Sequence, residues 1–329
     1  MSFKTTSFLS IANRGLNPTI SLARTRRVEN PDWRIHTFQG TVAGYLTGGI
    51  PQIGIDKFPF ATDANSTDVG DLSVSRRSGN AGQSSAYDGY TSAGFGPSYS
   101  NVIDKFPFAS NANATDVGDV TFGRYSATGQ SSDVSGYTSG GYAAPGVVPY
   151  GTSRANIIDK FPFATNANAT DVGDLAGTGG NNTQTGHSST VSGYSTGGGT
   201  NVIEKFPFAT NSNATDVGDM TVTRGGAIGQ SSDVSGYSSG GGVGPTSSNV
   251  IDKFPFATNA NSTDVGDLTV ARSDGAGAPS TVSGYTSGGY STPVITRNVI
   301  DKFPFATNAN ATDVGDLVTA SYSLCGQQD

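Results

Sequence analysis

Asn298-Val-Ile-Asp-Lys-Phe-Pro-Phe-Ala-Thr-Asn-Ala-Asn-Ala-Thr-Asp-Val-Gly-Asp-Leu317 is one of six near copies of a single segment in this chain. Its lysine recurs as Lys57, Lys105, Lys160, Lys205, Lys253 and Lys302, at spacings of 48, 55, 45, 48 and 49 residues. A second segment of the form Val-Ser-Gly-Tyr-Thr-Ser-Gly-Gly recurs around Tyr45, Tyr90, Tyr137, Tyr194, Tyr237 and Tyr285. This period is too long for leucine-rich, ankyrin or tetratricopeptide repeats and suits a four-stranded propeller blade. Helical periodicity is missing, and Gly, Ser, Thr, Asn and Pro fill the connections.

Each repeat reads as four short strands. Gly-Gln-Ser-Ser-Asp-Val forms the first and Ser-Gly-Tyr-Thr-Ser-Gly-Gly the second. Asn-Val-Ile-Asp-Lys-Phe-Pro-Phe forms the third and Thr-Asp-Val-Gly-Asp-Leu-Thr-Val the fourth. Strand alternation puts Val102, Asp104, Phe106 and Phe108 on one face and Ile103 and Lys105 on the other. Apolar groups on both faces suit a blade held between two neighbours. The ends predict closure: the first repeat element is a second-strand unit (Thr41 to Gly49), and the last residues, Ser323 to Asp329, resemble a first-strand unit. The sequence therefore predicts an all-β, six-bladed β-propeller of four-stranded antiparallel blades over residues 39–329. Both termini contribute strands to the closing blade, and a basic N-terminal arm, residues 1–38, precedes it.

At the Gly doublets (Gly48-Gly49, Gly140-Gly141, Gly197-Gly198, Gly240-Gly241, Gly288-Gly289) and the arginines that end the fourth strand (Arg76, Arg124, Arg224, Arg272), the chain resembles the kelch propellers. The kelch tryptophan has no counterpart in the repeats, since Trp33 precedes them. The wording Lys-Phe-Pro-Phe, Asn-Ala-Thr-Asp-Val-Gly-Asp, Gly-Gln-Ser-Ser and Gly-Tyr-Thr-Ser-Gly-Gly resembles repeat proteins encoded by marine bacteriophages, cyanophages among them. That resemblance implies a virion component of the tail or a fibre, with other virion proteins and copies of itself as partners.

In a four-stranded meander, alternate connections emerge on the same face. The first-to-second and third-to-fourth turns are uniform in length. The second-to-third connection runs from two residues (Gly199, Thr200) to fourteen (Tyr142 to Ala155), and the fourth-to-first also varies. Loops on a rigid scaffold carry recognition, and aromatic and arginine side chains dominate contact energy. Tyr99, Tyr142, Tyr150 and Arg154 are therefore the candidate partner or receptor contacts on the variable face.

Composition excludes several classes of chemistry. One cysteine, Cys325, permits neither an intrachain disulfide nor a cysteine zinc cluster. His36 and His187 cannot build a multi-histidine metal site, and His187, standing where other repeats have Gln130 and Gln230, reads as structural. No serine–histidine–acid set can be singled out, and groups repeated six times fit a framework better than a single catalytic site. The acid and lysine of the third strand point to opposite faces and read as blade-to-blade bridges. Asn168, Asp171 and Asp174 present the oxygen ligands that calcium prefers, without EF-hand spacing or its bidentate Glu. The run reads instead as tight turns whose Asn and Asp side chains bond local backbone groups. No cofactor is expected. The six Asn-x-Ser/Thr sequons, from Asn65 to Asn310, read as turns also.

Net charge is -7, but the first 38 residues carry +4 and the remainder -11. In the arm, Arg14, Arg24, Arg26, Arg27, Trp33 and Arg34 are candidate docking residues toward a neighbouring subunit; nucleic-acid binding and membrane insertion are not expected. No signal peptide is visible, so synthesis in the host cytoplasm and incorporation into the virion are expected. The leading reading is a non-enzymatic virion structural protein of the tail or fibre. A receptor-binding module for a host-surface glycan or protein comes second, and an intracellular kelch-like adaptor third.

Overall fold

A computed structural model describes residues 38–50, 53–76, 78–145, 154–177, 183–293 and 295–329. Six four-stranded antiparallel sheets follow one another around an axis as a six-bladed β-propeller. From the axis outward, the second blade consists of Ala81–Ser84, Asp88–Ser92, Val102–Pro107 and Thr115–Asp119. The first blade takes its inner strand, Cys325–Gln328, from the C-terminus. That strand pairs with Ala43–Thr47, placing Gly44 opposite Gln328 and Thr47 opposite Cys325. The split repeat closes the ring as the sequence predicts.

Two devices explain the Gly-Tyr step and the Phe-Pro-Phe step. Gly136 lies opposite Phe161 of its own blade, and a Cβ there would stand 2.3 Å from the ring. Glycine lets that ring lie flat across the strand. The next residue, Tyr137, reaches the other way, to the following blade. Its ring stacks on Phe208 with centroids 4.8 Å apart, and its hydroxyl donates to the Phe208 carbonyl at 3.5 Å. The same contact recurs six times, ending with Tyr285 donating to Phe60 of the first blade at 3.4 Å. Ile158 and Leu175 join Tyr137 and Phe206 in one of the clusters between blades.

Around the axis, six glycines pack backbone to backbone. A Cβ on Gly129 would meet the Gly82 carbonyl at 2.0 Å, and one on Gly326 would meet that of Gly277 at 1.9 Å. Only glycine allows inner strands to approach this closely. The space left on the axis, about 120 Å³ and lined by these glycines, has room for a few waters.

The repeated charges bridge blades differently from the expectation. The third-strand acid meets not the lysine but the arginine that follows the outer strand of the preceding blade. Arg124 pairs with Asp159 at 2.8 Å and Arg272 with Asp301 at 2.9 Å, all fully buried; Arg76–Asp104 and Arg224–Asp252 match them. The lysines lie over tyrosines of their own blades, as Lys160 does over Tyr137 at 5.7 Å. Lys302, which also pairs with Asp63 at 3.1 Å, bridges the sixth blade to the first.

The Asn/Asp turns also differ. Asp171 accepts from the Gly173 amide at 3.1 Å, a local turn bond as expected. Asn168 instead reaches the Asp119 amide of the preceding blade at 3.1 Å, and its five equivalents complete a ring, Asn65 accepting from Asp316 at 3.0 Å. The repeated asparagine is a strap between blades.

Candidate recognition surface

The two variable connections do emerge on one face, and they hydrogen-bond to each other. Tyr142 pairs with Tyr125 and Ala143 with Arg124 in a short ribbon that joins the loop after the second strand to the loop before the first. Gly225 with Gly242 and Ser273 with Tyr290 repeat the connection in later blades. Long loops are thus tied down at their bases.

Of the expected contacts, the structure brings together Tyr99, Tyr142 and Arg154. Tyr142 stacks on Tyr125 with centroids 5.4 Å apart and planes 21° apart, and the exposed Arg154 guanidinium lies 6.0 Å from the Tyr142 ring. Tyr99 stands 5.7 Å from Tyr125 and 5.3 Å, edge-on, from Phe95. Burial, with Tyr99 and Tyr142 alongside, raises the Tyr125 phenol above its ordinary pKa, so it remains a neutral donor. The cluster is therefore a half-buried aromatic knot with Phe95, 37% exposed, at its edge. Tyr150 and the arm residues Arg14, Arg24, Arg26, Arg27, Trp33 and Arg34 lie outside the described residues.

Sequence reasoning did not single out Phe95 or Tyr125. Their signal was positional: Phe95 follows the Ala93-Gly94 step as Tyr142 and Tyr290 follow their Gly doublets, and Tyr125 follows a fourth-strand arginine, where later repeats carry Gly225 and Ser273.

The opposite face carries a feature that the repeat analysis missed altogether. In five blades a serine side chain holds the first-to-second turn, as Ser132 Oγ accepts from the Ser135 amide at 3.0 Å. In the first blade, where the chain ends meet, the Asp329 carbonyl accepts from the Val42 amide at 2.6 Å instead. The residue held at the apex is apolar in every blade and points to solvent: Val42, Tyr87, Val134, Val191, Val234 and Val282, between 53% and 79% exposed. Phe38, Pro279 and Gln328 line the mouth of the axial cavity near these turns. The residue before Ser-Gly-Tyr was the available signal, since an apolar side chain at a turn apex has no core to enter.

Among the described residues, no group of three or more His, Cys, Asp or Glu side chains is gathered as a metal site. The oxygens of Asn168 and Asp171 are directed at backbone amides, as above. His187 is buried with Nδ1 3.2 Å from the Gln230 carbonyl and Nε2 3.1 Å from Ser238 Oγ, and burial lowers its pKa to about 4. No helix among the described residues is long and apolar enough to cross a membrane. The chain matches no protein-family model, and no curated protein shows significant similarity to it.

Proposed function

We propose that this chain is a non-enzymatic structural module of a virus particle, a propeller built into a tail or fibre and docked through its N-terminal arm. The observation that carries this reading is the difference between its two faces. One repeats the same apolar apex six times around the axis, a surface suited to a partner that meets the disc along that axis. The other is irregular, aromatic and tied by loop-to-loop ribbons. The resemblance of the repeats to those of marine phage proteins supports the same assignment. Mass spectrometry of purified particles from an infected host is the test. Stoichiometric presence of the chain is expected, and its absence from washed particles would refute the virion reading.

The aromatic knot favours a second reading, in which the irregular face touches a host-surface glycan or protein. Replacing Phe95 and Arg154 by alanine is then expected to slow adsorption to cells while particles still assemble.

A further inference from the structure

Four of the six blade junctions neutralise their buried acid with an arginine, and that arginine does a second task. Arg76 donates to the carbonyls of Thr91 and Val102 at 2.9 and 2.8 Å besides pairing with Asp104. Arg124 and Arg272 likewise donate to the carbonyls of Thr138 and Thr286, each at 2.9 Å. Each junction thus gains one positive charge and several donors to backbone oxygens.

The junction between the third and fourth blades lacks all of this. The arginine position falls on Gly179 in the sequence, and Ala176 stands where the other arms have Ser73, Thr121, Thr221 and Thr269. The acid is Glu204, the single glutamate among the six. Its longer side chain reaches back, so that Oε1 accepts from the Gly177 amide at 2.6 Å. The side chain is 2% exposed, and Oε2 has no hydrogen-bond partner among the described residues. Beside it Gln184, 9% exposed, turns its amide nitrogen toward the carboxylate and leaves its own Oε1 unpartnered among the described residues. Ser195 and Val202, which occupy the register of Thr91 and Val102, have no arginine to accept from.

We propose that this junction binds a monovalent metal cation, of the potassium class, in place of the missing guanidinium. Glu204 Oε2 supplies the charge, and the Gln184 side-chain oxygen with the Ser195 and Val202 carbonyls supplies neutral oxygen ligands, the donor type that hard cations take. A charge of one matches the single carboxylate and the charge balance of the four arginine junctions; a divalent ion would leave a buried excess charge, which is costly. A proton shared between Glu204 Oε2 and Gln184 Oε1 pairs the two side-chain oxygens alone, whereas a cation also engages the carbonyls that the arginines serve at the other junctions. The Gln184 amide need only turn over to bring its oxygen beside the carboxylate, an orientation that heavy-atom positions alone do not distinguish.

The experiment uses the full chain in choline chloride at pH 7.5, titrated with potassium or rubidium chloride at constant ionic strength. A saturable rise in melting temperature is expected. Glu204→Gln should abolish it, and Gln184→Ala should move its midpoint at least tenfold higher in potassium. In rubidium-soaked crystals an anomalous peak should stand beside Glu204 and at none of the arginine junctions. The soaked crystals need no variant, so they decide the question even where Glu204→Gln fails to fold. Equal melting temperatures in choline and potassium, or a rubidium map empty at Glu204, would overturn the proposal in favour of a protonated glutamic acid.

Discussion

His187 shows how one residue can retune a repeat without changing its shape. Gln130 donates to the Tyr194 carbonyl of the next blade at 3.1 Å, and His187 fills the same inner-strand position in the fourth blade. A histidine with a folded pKa of about 4 and an ordinary value of 6.5 is protonated more readily when unfolded. The unfolded chain then binds more protons between those values, so stability is complete above about pH 6.5 and falls as pH drops toward 4. His187→Gln, restoring the repeat's usual residue, should remove that slope, as thermal melts of both proteins across pH 4 to 7 would show. Asp56 behaves in the opposite sense. Its junction, between the sixth and first blades, also lacks an arginine, and burial together with the nearby Asp68 raises its carboxyl from 3.8 to about 6. Folding then binds extra protons between those values, so this group costs stability as pH rises through about 6 and costs nothing below its unfolded value. Asp56→Asn should stabilise the protein at pH 7 by an amount on the order of 1–2 kcal/mol, with no gain at pH 4. A variant equally stable at pH 7 and 4, relative to its parent, would contradict that cause.

Among elements, the third strand does most to join the ring. Its isoleucine and phenylalanine face different neighbours, and its acid takes the arginine of the preceding blade. Replacing Arg124 by alanine strands a fully buried Asp159 carboxylate, and a loss of about 3–5 kcal/mol is expected, against about 1 kcal/mol for Asn168→Ala at an exposed strap. Equilibrium denaturation of both variants checks the order; equal losses would show that the buried pairs are not what couples the blades. The turns and the strand identities were legible in the sequence because alternation and glycine placement are local. The bridging partners were not. Asn168 and Asp119 are far apart along the chain, and a turn asparagine bonding locally looks the same in sequence as one reaching another blade. The pairing of Asp159 with Arg124 of the preceding blade, rather than with a lysine of another blade, likewise depends on which blade face each side chain meets.

For the whole molecule, closure rests on four residues at the very end of the chain. Cys325–Gln328 supplies the first blade's inner strand, and Gln327 donates to the Tyr90 carbonyl of the second blade at 2.9 Å. Removing residues 325–329 opens the axial glycine ring and exposes one blade's inner edge, a template for pairing with another chain. Loss of cooperative melting and concentration-dependent association are expected, read by calorimetry and light scattering; a monomeric truncated chain melting like the parent would refute the closure role. Removing residues 1–37 leaves every blade strand in place, so the disc should fold normally while its incorporation into particles, on the proposed function, fails.

Repetition alone determined the blade count, the strand order and the split closing blade, because a period and its phase at the two ends are properties of the chain. It also separated a uniform face from a variable one, since connection lengths can be counted. Only the tertiary structure decided which charges pair, that the asparagines strap neighbouring blades, and that the aromatic residues of the loops pack on one another. It alone revealed the ring of exposed apolar apexes. These features depend on which side chains meet across blades or meet solvent, and a curved ring brings together residues that no local pattern relates.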